Sequence, residues 1–180
     1  MSNQKITLST DNLLSNLDHK IDTAFRNQLI MAIYQSIPRN YGQHVMLTEI
    51  EMHSLWYIQQ EPGITAKKLG EIMYRTKGTI SSIISRLEKE GFLSQEVNPA
   101  NRREHRLYLT AKGNEACNQH ISFDRQKTSE FIIYLSQYCT PEEIDGFFKV
   151  LQYRTEFFEK AIQNDKEDYT TAKKAAKKAD

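Results

Sequence analysis

Apolar residues recur every fourth position from Leu13 through Leu17, Ile21, Phe25, Leu29 and Ile33 to Ile37, with Leu14, Ile30 and Tyr34 beside the ladder. That period predicts a helix with a stripe that it cannot bury alone. Further on, Thr48-Glu49-Ile50-Glu51 has the spacing of a capping box and opens a second helix, which Pro62-Gly63 ends. Thr65 can cap a short helix with Leu69, Ile72 and Met73 on one face, and Thr76 a longer one in which Ile80, Ile83, Ile84 and Leu87 recur up to Gly91. The period then changes. Phe92 to Val97 and His105 to Leu109 alternate as strands, with Leu93 and Val97 expected against Leu107 and Leu109, and the stretch 98–104 reads as a turn. Helical spacing returns after Thr110 with Ile121, Phe131, Ile132, Leu135 and Tyr138. A capping box with Pro at the first helical position, Thr140-Pro141-Glu142-Glu143, opens a last helix with Ile144, Phe147, Phe148, Leu151, Phe158 and Ile162 on one face.

The predicted fold is mainly α with a small β-wing: a winged helix-turn-helix flanked by N- and C-terminal helices. Its chemistry lies opposite the apolar face of the helix at 76–91, where Lys77, Gly78, Thr79, Ser81, Ser82, Ser85, Arg86 and Lys89 gather. Small side chains let a helix approach a duplex closely, hydroxyls and Lys reach base edges, and the helix N-terminus favours phosphate. An ordinary solvated face would look similar by itself. The wing at 92–110 changes that, because Arg102 and Arg103 at the tip of a hairpin can lie along a minor groove. The expected contacts to double-stranded DNA are Thr76, Lys77, Gly78, Thr79, Ser81, Ser82, Arg86, Arg102 and Arg103.

Three blocks carry a resemblance: Ser85-Arg86-Leu87-Glu88-Lys89-Glu90-Gly91-Phe92-Leu93, Asn98-Pro99-Ala100-Asn101-Arg102-Arg103 and Leu109-Thr110-Ala111-Lys112-Gly113. From Leu69 to Gly113 the chain resembles the MarR family of winged-helix transcriptional regulators. The resemblance implies homodimers on pseudo-palindromic operators, usually repressors, with the second helix of the pair in the major groove and Arg103 as the wing arginine in the minor groove. The chain departs from the family pattern at Asn101, where an Asp is usual, and at Gly78 and Ser82, where members often carry a hydroxyl and a longer basic residue.

Charge agrees with this reading. The net charge is +1, but Thr65 to Thr110 holds 9 Lys/Arg against 5 Asp/Glu, whereas residues 1–64 hold 4 against 6 and residues 111–180 hold 11 against 12. The basic excess lies where a duplex is expected to sit. The domain plan is an N-terminal dimerisation helix and linker (1–47), the winged helix (48–110), C-terminal dimerisation helices (111–163) and a basic tail (164–180) expected to be disordered. Wide apolar stripes at both ends favour a two-fold dimer over a three-helix core within one monomer. Neither a signal peptide nor a membrane-spanning run is recognisable, so a cytoplasmic location is expected.

A signal is expected to act on the dimer. Tyr34, His44, His53, Trp56 and Tyr57 are candidates for the wall of a pocket for a small apolar or aromatic effector, with plain core packing as the competing account. Cys117 and His120 could offer sulfur and nitrogen to a metal, but two ligands do not make a site, and neither a metal nor a cofactor is expected. Cys117 and Cys139 could instead serve as redox switches. The chain has no phosphate loop, dinucleotide turn, His-Glu-x-x-His or nucleophile elbow, so an enzyme is not expected. The alternative of another class is a winged helix that docks on a protein.

Overall fold

A computed structural model of the chain describes residues 13–42, 44–99 and 101–179, with side chains for all of these except Arg103 and residues 164–179. The chain divides into two compact units, Met1–Phe123 and Asp124–Asp180. The first holds α1 (Leu17–Ser36), β1 (Arg39–Asn40), β2 (Met46–Leu47), α2 (Glu49–Gln60), β3 (Ile64–Thr65), α3 (Ala66–Ile72), α4 (Lys77–Lys89), β4 (Leu93–Asn98), β5 (Asn101–Leu109) and the start of α5 (Ala111–Leu135). The second holds the rest of α5 and α6 (Pro141–Ala179).

The core of the first unit follows the predicted faces. Met52, Leu55 and Ile58 of α2, Leu69 of α3, and Ile80, Ile83, Ile84 and Leu87 of α4 are buried together with Phe92, Leu93 and Leu107. The antiparallel sheet has the order β3-β5-β4. Its short edge strand was not expected: Ile64 and Thr65 pair with Leu107 and Arg106 across the end of the α2–α3 turn. Two residues are too few to show an alternating pattern.

The wing departs from expectation in two ways. β5 begins at Asn101, so the predicted seven-residue turn shrinks and Arg102 and Arg103 belong to a strand next to the tip. Ladder hydrogen bonds use only backbone, so a polar run can be a strand when a partner lies alongside. Val97 is 53% exposed because its partner is His105, whereas Leu93 faces Leu109 near the core. The wing projects beyond the apolar layer before it turns.

The terminal helices also differ in detail. A left-handed Asn16, with φ of 53°, precedes α1, so the helix starts at Leu17, one step into the ladder. None of its residues is buried. At the other end Tyr138 lies past the last turn of α5. The tail expected to be disordered is instead the continuation of α6 to Ala179. Its Ala and Lys residues favour a helix once one has been nucleated, and the nucleus is provided by the preceding turns. Within the second unit, Ile144 is buried and the rings of Phe131 and Phe147 meet at 6.0 Å. No helix among the described residues is long and apolar enough to cross a membrane.

Candidate nucleic-acid interface

Thr76 starts α4 as its sequence position predicts, its Oγ1 accepting the Thr79 backbone N–H at 3.2 Å and lying 2.9 Å from the Thr79 hydroxyl. The following turns separate cleanly. Ile80, Ile83, Ile84 and Leu87 enter the core, while Lys77, Gly78, Thr79, Ser81, Ser82 and Ser85 are exposed. A row of hydroxyls and one ammonium therefore stands in water beside a rigidly seated backbone. Gly91 in the left-handed region, at φ of 77°, stops the helix, and the chain turns directly into β4.

The wing is built from the β4–β5 ladder. Asn98 pairs with Asn101, and the register shifts between Val97 and Asn98. The buried Asn98 side chain donates to the Glu104 carboxylate at 2.8 Å, so a hydrogen bond spans the base of the turn. Arg102 is exposed on this hairpin, and Arg103 occupies the next position of β5.

Arg86 is placed differently from the other α4 candidates. Its Nη1 donates to the Glu51 carboxylate on α2, and its Nη2 donates to the Met46 carbonyl at 2.8 Å. The Glu51 side chain is only 6% exposed. Its other oxygen accepts the backbone N–H and the hydroxyl of Thr48, both at 2.8 Å, which completes the predicted capping box. Sequence reading found the box but missed the partner. Glu51 and Arg86 are 35 residues apart and no local spacing links them.

The effector candidates fall into separate contacts. Tyr34 lies beneath the Arg39 guanidinium, 4.3 Å from its ring centroid, and His44 is exposed. Trp56 and Tyr57 meet edge to face at 5.0 Å, with Tyr57 packed on the core. His53 instead meets His120 at 5.2 Å, and His120 meets Tyr41 at 5.1 Å. His53 and His120 offer ring nitrogens within 4.8 Å of each other, so His53 is a metal-capable neighbour of His120 that helical spacing did not suggest. Cys117 is fully buried, and loss of water pushes its thiol up to about 11, away from the thiolate that metal binding or oxidation requires.

Residues 47–105 match the model of the MarR family. The transcriptional regulator HosA of Escherichia coli is 28% identical over 117 residues, which are 63% of this chain and 87% of HosA. This segment is similar to the MarR family. Among solved structures, a MarR family transcription regulator at 22% identity superposes with a TM-score of 0.66 over 84% of this chain and 98% of its own. FabT of Streptococcus pneumoniae, crystallised in complex with DNA, does so at 23% identity with a TM-score of 0.59 over 79% of this chain and 95% of its own. The matched MarR segment runs from the end of β2 into β5 and includes both Glu51 and Arg86, while α1 and α6 lie outside it.

Proposed function

We propose that this chain is a MarR family transcriptional regulator, a homodimer that binds a pseudo-palindromic DNA operator, represses from it, and is released by a small-molecule signal. The observation that carries the reading is the two-sided α4. Its apolar side is locked into the core, and Lys77, Gly78, Thr79, Ser81 and Ser82 are exposed next to a wing that bears Arg102 and Arg103. In this reading the hydroxyls and Lys77 meet base edges in the major groove, and the wing arginines add affinity that is nearly independent of sequence.

Dimerisation is supported by what one chain leaves uncovered. Ile21 of α1 is 58% exposed and Phe157 of α6 is 67% exposed, each on an apolar face several turns long. A second copy that covers both faces removes a large apolar surface from water. A two-fold dimer also presents two α4 helices, which is the geometry that reads a palindrome. A ligand releases such a dimer only by favouring a geometry in which the two helices no longer fit successive grooves. A DNA partner supports a cytoplasmic location.

Selection of duplexes from a random pool tests the proposal, followed by anisotropy of the winner and of a scrambled duplex at two salt concentrations. The expected result is a palindromic winner, a high specificity ratio and, for Arg102→Ala, a salt slope lower by about 0.9. Uniform weak binding by the intact protein would overturn the operator reading in favour of a protein-docking winged helix.

A further inference from the structure

We infer that Arg86 is a positioning residue for operator binding: a strut that fixes the angle of α4 against α2 and the linker from α1, and not a phosphate contact. The inference rests on the DNA-binding reading above. The guanidinium joins three pieces of chain, with one nitrogen on the Glu51 carboxylate at the start of α2 and another on the carbonyl of Met46 in β2. Met46 pairs with Asn40 and Leu47 pairs with Arg39, whose own guanidinium donates to the carbonyl of Tyr34 in α1 at 2.8 Å. Arg86 is thus a point at which α4 is tied to the polypeptide arriving from α1.

Burial decides between strut and contact. The Glu51 side chain is 6% exposed, whereas Arg86 keeps 44% of its side chain in solvent. Swinging Arg86 outward to a phosphate would strand a carboxylate in low dielectric, and an uncompensated buried charge costs far more than an exposed ion pair returns. The fork is also specific to arginine. Its planar nitrogens reach two acceptors in fixed directions, but an ammonium on a flexible stem is a point charge. A strut therefore requires Arg, while a phosphate contact is served nearly as well by Lys.

The test is anisotropy of the selected duplex across a salt series for Arg86→Lys, Arg86→Ala, Glu51→Gln and the Arg86→Ala/Glu51→Gln double variant. Gln at position 51 can still accept the Thr48 N–H, so the capping box survives while the ion pair is lost. The strut predicts at least about tenfold weaker binding for Arg86→Lys and for Glu51→Gln, salt slopes equal to wild type, and a double variant no worse than the weaker single. It is overturned if Arg86→Lys binds as wild type, if Glu51→Gln stays within twofold, or if Arg86→Ala lowers the slope by about 0.9. A readout that needs no variant is the guanidinium resonances of Arg86 in ¹⁵N-arginine wild-type protein. The strut leaves them unmoved by duplex, and a phosphate contact shifts them. A wild type that binds no selected duplex overturns the DNA reading and the positioning role together, a result distinct from a binding wild type with an indifferent Glu51→Gln.

Discussion

Gly113→Ala is predicted to destabilise the protein although it places the best helix former inside a helix. Gly113 lies in the first turn of α5, where the chain is stitched to the end of α4. The Thr110 hydroxyl donates to the Gly91 carbonyl at 2.7 Å, the Thr110 N–H donates to the Phe92 carbonyl at 3.0 Å, and Lys112 Nζ reaches the Glu90 carbonyl at 2.7 Å. A Cβ at position 113 would lie 2.1 Å from the Phe92 carbonyl oxygen and 3.1 Å from its carbon. Side-chain Cβ atoms do not approach within 3.0 Å, so the contact between α5 and the Phe92 backbone must open by at least about 0.9 Å. The obstacle is backbone and cannot rotate away.

Two opposing effects set the magnitude. Replacing Gly with Ala in a helix gains about 1 kcal/mol. Overpacking costs about 1–3 kcal/mol, with a rigid carbonyl at the upper end, and loosening the Thr110 to Phe92 hydrogen bond adds about 1 kcal/mol. The net loss is about 2–3 kcal/mol, equivalent to a Tm lower by roughly 4–12 °C for a chain of this size. The assay is thermal unfolding by circular dichroism, with urea unfolding followed through Trp56, the only tryptophan, at one protein concentration because the stability of the proposed dimer depends on it. A midpoint equal to or above that of wild type would refute the reasoning, since helix propensity would then outweigh the clash.

Burial raises the Cys117 thiol from 9.0 to about 11, so the folded state holds a proton that the unfolded chain loses first. Stability is fully present below pH 9 and falls as pH rises from 9 toward 11. Cys117→Ala should show a shallower fall over that window in urea titrations, and an equal slope would contradict the shift. Thr140→Ala removes the hydroxyl that accepts the Glu143 N–H at 3.3 Å and should cost about 1 kcal/mol, read from thermal melts. Titration of Trp56 fluorescence with small aromatic and fatty acids should saturate if the proposed effector pocket includes its ring, and a flat response would remove Trp56 from that wall.

What the sequence determined by itself is local. The caps at Thr48, Thr65, Thr76 and Thr140 involve groups three residues apart, and the buried row Ile80, Ile83, Ile84 and Leu87 repeats at one helical period. Interactions of that range are written in spacing, which is why α4, its exposed hydroxyl face and the following hairpin could be read before any coordinates. The tertiary structure decided which distant pieces meet. It made a strand of the polar run from Asn101 by laying β4 beside it, exposed Val97 by pairing it with His105, and drew His53 to His120. It also paired Arg86 with a carboxylate 35 residues away. Side-chain type limits the partners an arginine can accept, but the choice among them depends on which acceptor the packing of α2 against α4 brings within reach and shields from water.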